Sequence, residues 1–188
     1  LTTGTRNTVV GGSYALGAGA ATTTGYHNVY IGNDAGGTNT TGSGNAVLGT
    51  EAFKLSTTGS HNTAIGDKAL CSATTSSANT AVGRNAVYTT TTGASNTGIG
   101  EQALQAATTA NYNTAVGAEA LKAQTTGISN ISVGYYSLVA STTGACNVAV
   151  GVQAGDAITT SVCNTLLGNF AGDNITTGSR NVIIGKSS

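Results

Sequence analysis

Residues 62–70 read NTAIGDKAL and residues 113–121 read NTAVGAEAL, which are two near-copies of nine letters. Both belong to a series in which the pattern Asn-x-x-(Val/Ile/Leu)-Gly recurs along the 188-residue chain. The pattern begins at Asn7, Asn28, Asn45, Asn62, Asn79, Asn96, Asn113, Asn130, Asn147, Asn164 and Asn181. From Asn28 onward the 17-residue interval never changes, so the chain is a tandem repeat and its fold must follow from one repeat unit.

Each column of the repeat has a physical meaning when positions are counted from the Asn. Positions +1 and +3 hold Thr, Ala and aliphatic residues, rich in β-branched types, which is typical of a short strand. Position +4 is always Gly, which indicates a backbone with positive φ or a close approach of two chains. Position +7 is nearly always Ala, and Thr-Thr-Gly, as at residues 57–59, forms a polar turn before the next Asn.

A unit of this length with strand and turn signals is too short for a pair of helices. It predicts an all-β fold, a parallel β-solenoid of about eleven coils, with residues 1–188 forming one repeat domain. The first interval, from Asn7 to Asn28, is longer than the others, which places a four-residue insertion within residues 12–24. Adjacent strands lie about 4.8 Å apart, so the coils would form a rod on the order of 50 Å long.

The invariant Asn is predicted to have a structural role, because identical residues stack on one another in such a rod. Stacked Asn side chains can pass amide hydrogen bonds from coil to coil, as they do in cross-β assemblies. The predicted ladder consists of Asn28, Asn45, Asn62, Asn79, Asn96, Asn113, Asn130, Asn147 and Asn164.

The charged residues indicate which positions face water. Almost all of them fall at +5, +6 and +9, and the two remaining arginines fall at −1. Positions +1 and +3 are then predicted to point inward, which leaves +2 pointing outward with small, uncharged side chains. A strand that is uncharged on both faces is usually buried on both, which predicts self-association through +2. The residues of this predicted oligomer face are Ala64, Ala81, Gly98, Ala115 and Ala149.

Composition excludes several functional classes. Seven basic and seven acidic residues cancel, so no charge field attracts nucleic acid or an anionic membrane. No apolar run reaches the roughly 18–20 residues of a membrane span. His27 and His61 lie two coils apart, about 9–10 Å, which is too far for them to share a metal ion. Single, scattered carboxylates offer no pair for acid–base chemistry, so we predict no enzyme, no cofactor and no metal.

Two smaller groups of residues leave alternatives open. Cys146 and Cys163 both occupy −1 on adjacent coils, within the separation that a disulfide allows, and are either bonded or two free thiols. Tyr112, Tyr135 and Tyr136 are predicted at exposed positions. They form either a ligand patch for a sugar or a protein, or ordinary surface aromatics.

The combination Asn-Thr-Ala-(Val/Ile)-Gly-x-x-Ala-Leu followed by Thr-Thr-Gly resembles the head repeat of trimeric autotransporter adhesins (YadA-like heads). It is similar as well to related repeats in phage and bacterial fibres. The resemblance covers the whole chain and implies a homotrimer of left-handed parallel β-rolls. It also implies an extracellular fibre on a cell or virion surface that presents a binding surface to a host, prey or matrix target. The period of this chain is longer than the usual head repeat.

Two further functions remain as alternatives to the fibre segment. A Thr recurs at +12 in successive coils, from Thr40 to Thr142, and a regular Thr column could order water in an ice-binding solenoid. A self-assembling filament is the other alternative, because repeats extend to both ends of the sequence and exposed strand edges pair with other chains. The predicted partner is in every case another copy of the chain, and for the fibre a surface glycan or protein as well.

Overall fold

The computed structural model describes residues 3–11 and 21–186 and confirms an all-β parallel β-solenoid of about ten turns, with no helix in these ranges. Eleven three-residue strands form one sheet in chain order. They are β1 Thr8–Val10, β2 Val29–Ile31, β3 Ala46–Leu48, β4 Thr63–Ile65, β5 Thr80–Val82, β6 Thr97–Ile99, β7 Thr114–Val116, β8 Ile131–Val133, β9 Val148–Val150, β10 Thr165–Leu167 and β11 Val182–Ile184. The insertion is predicted within residues 12–24, of which 12–20 lie outside the described residues.

Each strand pairs in parallel with its own copy in the next coil, and the register equals the repeat. Thr97 pairs with Thr114 and Ile99 with Val116, so the offset is one whole repeat. The strand ends at the invariant Gly, whose φ lies between +112° and +143° along the rod. Side-chain-bearing residues would be strained in that region, so a Gly at +4 is what lets the chain leave the sheet after such a short strand.

The prediction of which strand positions point into the interior is wrong. The +2 residues Ala64, Ala81, Gly98, Ala115 and Ala149 are buried in the interior of the coil. The +1 and +3 side chains lie outside, half-buried or exposed in every strand. Side chains alternate along a strand, and the Asn before it is buried, so +2 must share the interior with Asn while +1 and +3 face outward.

Small residues at +2 are required because the coil is narrow. The space beside Gly98, a +2 residue, is filled by Val87 at +8 of the preceding coil, because an added Cβ would lie 2.6 Å from a Val87 methyl group. Other large +8 residues, such as Leu70, are also fully buried. Where the +2 residue is large, the neighbouring +8 residue is small. Tyr30 occupies +2 above Gly36, where an added Cβ would lie 2.2 Å from the Tyr30 ring.

The same exchange occurs near the other end of the rod. Leu166 occupies +2 between Gly155 and Gly172, and a Cβ at either glycine would come within 2.8 Å of the Leu166 methyl groups. Positions +2 and +8 are thus complementary in volume, and the core consists of stacked pairs of one large and one small residue.

Some buried polar groups in the core are hydrogen-bonded to one another, whereas others, such as the Ser76 and Ser141 hydroxyls, have no partner. Ser replaces Ala at +2 and at +7 in one coil, and the Ser132 hydroxyl donates to the Ser137 carbonyl over 2.8 Å. The phenol of Tyr30 accepts a hydrogen bond of 2.5 Å from the Asn39 amide, and burial raises the pKa of Tyr30 to about 12. The Ser132 hydroxyl and the Tyr30 phenol therefore each have a hydrogen-bond partner in the narrow interior.

Candidate interaction face

The outward side chains at +1 and +3 form a continuous stripe along the solenoid, which we call the strand face. Its residues are Thr8, Val10, Val29, Ile31, Ala46, Leu48, Thr63, Ile65, Thr80, Val82, Thr97, Ile99, Thr114, Val116, Ile131, Val133, Val148, Val150, Thr165, Leu167, Val182 and Ile184. No charged residue is among them. Leu48 is 47% exposed and Ile99 39% exposed, although both are large and aliphatic. A long apolar stripe of this kind marks a surface that binds another surface.

The Asn column lies next to the strand face and joins successive coils through hydrogen bonds. The side-chain amide of each Asn donates to the Oδ1 atom of the Asn one coil earlier, over 2.9 to 3.3 Å from Asn45 to Asn181. The same Oδ1 atom also accepts the backbone N–H of the next Asn, as Asn96 does from Asn113 over 3.1 Å. The amide of Asn96 donates in addition to the Ala110 carbonyl within its own coil, over 2.7 Å. Every Asn in this run therefore links its coil to a neighbouring coil.

We expect Asn96→Ala to destabilise the solenoid markedly. The substitution leaves the Asn113 N–H and the Ala110 carbonyl without these partners in a dry interior, at about 1–3 kcal/mol for each unpaired group. Thermal unfolding followed by circular dichroism measures the loss. Glu101→Ala is the control, since Glu101 is exposed and forms only a surface ion pair with Arg84, worth about 0–1 kcal/mol. Equal melting temperatures for the two variants would show that the ladder does not stabilise the fold.

The Thr column at +12 has a structural role in the described coils. The Thr40 hydroxyl donates to the Thr57 carbonyl over 2.8 Å, and Thr74 donates to Thr91 over 3.0 Å in the same way. These hydroxyls point along the rod toward the next coil. The neighbouring Thr at +13, such as Thr58 and Thr109, is exposed.

The two cysteines at −1 are free thiols in the structure, and both Cys146 and Cys163 are exposed. The predicted alternative of a disulfide between them is therefore not formed here. Cys71, by contrast, is buried, and burial raises the pKa of its thiol above the ordinary value. The exposed pair marks one edge of the strand face, since position −1 directly precedes the ladder Asn.

The three tyrosines proposed as a ligand patch do not form one cluster. Tyr135 and Tyr136 follow β8, with ring centroids 4.3 Å apart and tilted by 49°. The Tyr136 hydroxyl donates to Glu119 over 3.1 Å, which raises the pKa of Tyr136 to about 12. Glu119 accepts from Lys122 as well, and that bond lowers the pKa of the Glu119 carboxyl. Tyr112 precedes β7, at the opposite edge of the strand face.

No group of three or more His, Cys, Asp or Glu side chains that could hold a metal ion is found in residues 3–11 and 21–186. His27 forms a 3.2 Å hydrogen bond with Arg6, and its ring contacts the Tyr26 ring edge-on. The described surface has no concave pocket. Within the same ranges there is no helix long and apolar enough to cross a membrane.

The candidate functional surface of the described residues is the strand face, because large aliphatic side chains are exposed along it. Comparisons of the chain with protein-family models, with curated proteins and with solved structures found no match.

Proposed function

We propose that the chain is a segment of an extracellular fibre in which three parallel copies associate through their strand faces. The observation that carries the proposal is the unbroken, uncharged stripe of Thr, Ala and aliphatic side chains along all eleven strands. A flat apolar stripe on a regular rod matches a second rod of the same period, because both present the same residues at the same spacing. Association along the length removes the whole stripe from water at once.

The number of copies and the surface location are supported by the likeness of the repeat to trimeric adhesin heads. The same likeness supports a left-handed coil, and the eleven copies of the Asn motif support a count of eleven coils. The work of such a segment is mechanical: it projects and presents a binding surface for a glycan or protein target, without catalysis. The charged residues at +6 and +9 remain on the outside of the trimer, as in the ion pairs from Lys54 to Asp34 and Glu51.

Ice binding is the second candidate, and one observation favours it. Four consecutive strands carry Thr at +1 and Ile or Val at +3, from Thr63-x-Ile65 to Thr114-x-Val116. This part of the strand face is a flat, regular and uncharged array of hydroxyl and methyl groups, which is a surface that could order water. The Thr column at +12 supports this candidate less, because its hydroxyls bond to the neighbouring coils.

Mass measurement of the parent protein and of Ile99→Lys tests the proposal. Light scattering of the parent should report about three times the 18.3 kDa chain mass. Ile99→Lys should dissociate the trimer, because symmetry would bring three lysines together in a desolvated seam, and one unpaired buried charge already costs several kcal/mol. The isolated chain should remain folded, since Ile99 faces outward.

Thr109→Lys is the matched control, because it adds the same charge at an exposed position away from the strand face. It should leave the trimer intact. A parent that is monomeric at high micromolar concentration and shows thermal hysteresis would replace the fibre with the ice-binding function. A monomer without thermal hysteresis would contradict both.

A further inference from the structure

Two columns of residues border the strand face. The leading column, at −1, consists of Arg6, His27, Gly44, His61, Ala78, Ser95, Tyr112, Ser129, Cys146, Cys163 and Arg180. The trailing column, at +5, consists in its described part of Asn33, Thr50, Asp67, Arg84, Glu101, Ala118, Tyr135, Val152, Asn169 and Lys186. All are exposed except half-buried Ala118. The leading column directly precedes the ladder Asn, and the trailing column directly follows the Gly that ends the strand, so the two columns flank the strand face.

The size of the face shows that these columns are needed for association. Eleven strands at about 4.8 Å spacing and about 10 Å of strand width give roughly 500 Å² for the strand face alone. A stable interface covers about 800 Å² on each partner. An assembly through the strand face must therefore bring the bordering columns of neighbouring copies together.

In a parallel assembly with its axis along the rod, the leading column of one copy faces the trailing column of the next at the same level. In this arrangement the columns are complementary in size around the middle of the rod. Tyr112 faces Ala118, and one coil later Ser129 faces Tyr135. Toward the N-terminal side, Ala78 faces Arg84, and His61 faces the carboxylate of Asp67. At the levels of Arg84, Tyr112 and Tyr135 the residue opposite is Ala or Ser, whereas at the C-terminal level Arg180 faces Lys186.

The two tyrosines at these levels are not required by the fold. Their columns hold Ser, Ala, Arg or Glu in other coils with the same backbone, and Tyr112 is 67% exposed and Tyr135 52% exposed. The Tyr135 ring is already ordered by Tyr136, which Glu119 holds through its hydroxyl. Large, pre-ordered aromatic side chains opposite small residues are the usual centres of binding energy in interfaces.

We infer that Tyr112 of one copy packs on Ala118 and beside Tyr135 of the next copy, and that this contact fixes the register of the parallel assembly. The partner is a second copy of this chain, so the inference rests on the proposed function. The rings of Tyr112 and Tyr135 lie one coil apart in level, about 4.8 Å, which brings them into ring-to-ring contact across the seam. Repeated by symmetry, the contact forms an aromatic belt at one height of the fibre.

A size swap across the interface tests the contact. Ala118→Tyr fills the gap opposite Tyr112 and should raise the concentration for half-dissociation by at least about tenfold, the effect of one strong interface residue. The double variant Tyr112→Ala with Ala118→Tyr exchanges the large and small partners and should restore most of the affinity. Tyr88→Ala removes a tyrosine at +9, away from the strand face, and should change nothing. Sedimentation measures association, and circular dichroism checks that each chain is folded.

The possible outcomes distinguish a failure of the register contact from a failure of the proposed trimeric fibre. A monomeric parent would overturn both the fibre and the register. A trimeric parent whose assembly is unaffected by Ala118→Tyr, or whose affinity is lost in the single variant and not recovered in the swap, would overturn the register alone. Recovery in the swap supports the contact, because a purely local defect at residue 118 would persist when Tyr112 is shortened.

Discussion

Ala115→Arg should abolish folding rather than merely separate copies of the chain. Ala115 lies at +2 in β7 and is fully buried in the interior of the coil. The coil has no room for a guanidinium group and no partner for its charge. An unpaired buried charge costs several kcal/mol, and overpacking adds about 1–3 kcal/mol. Together these approach the whole stability of a typical domain, about 5–15 kcal/mol.

Circular dichroism and hydrogen exchange of the purified variant provide the measurement, and Ala123→Arg is the matched control. Ala123 is half-buried at +10 on the same coil, where the long side chain can reach water. We expect loss of strand signal in Ala115→Arg and a near-native melting curve in Ala123→Arg. A folded but monomeric Ala115→Arg protein would mean that +2 faces outward after all.

Gly100→Ala is expected to cost about 2–6 kcal/mol, the sum of backbone strain and overpacking. Gly100 has φ of +133°, a region that side-chain-bearing residues avoid. An added Cβ would also lie 2.5 Å from the Gly117 oxygen and 2.6 Å from the Gly117 carbonyl carbon in the next coil. The methyl group must therefore push two hydrogen-bonded coils apart at the point where the strand ends.

Ala variants of two other glycines separate backbone strain from the contact between coils when their melting temperatures are compared with that of Gly100→Ala. Gly185→Ala meets the strain alone, because φ is +117° and no atom lies within 4 Å of the added Cβ. Gly37→Ala adds no backbone strain, since its φ lies outside the restricted region, and only a mild contact, because the nearest atom is the Asp34 oxygen at 3.3 Å. We expect the order of destabilisation Gly100, Gly185, Gly37. Equal losses at Gly100 and Gly185 would show that contact between coils contributes nothing.

The period, the parallel strands and the invariant Gly at +4 were predictable from the sequence, because each is a strictly recurring feature with a single physical interpretation. The interior was not predicted correctly. Large aliphatic residues at +1 and +3 outnumber those at +2, so hydrophobicity alone points the wrong way. In a narrow coil the large core residue can come from elsewhere, here +8, and the middle strands of the rod contribute Ala, Gly or Ser.

Two signals in the sequence could have given the correct orientation. An Asn in a ladder must be shielded from water, and +2 has the same parity as that Asn. Gly replaces the large +8 residue where +2 is Tyr30 or Leu166, a covariation in size that only residues sharing one interior produce. The apolar character of +1 and +3 then predicts a surface that binds a second molecule, which in our proposal is another copy of the chain.

The irregular pairs in the core also bear on how a repetitive chain avoids folding errors. Identical coils allow a strand to dock one whole repeat out of place, since the Asn, Gly and Thr columns match equally well after such a shift. The coils with a large +2 residue beside a Gly at +8 remove this ambiguity. If the coil of Leu166 docked two repeats back instead of one, its side chain would meet Leu138 in place of Gly155. Tyr30 with Gly36 marks the other end of the rod in the same way, so mispaired intermediates are penalised where they would otherwise persist as traps.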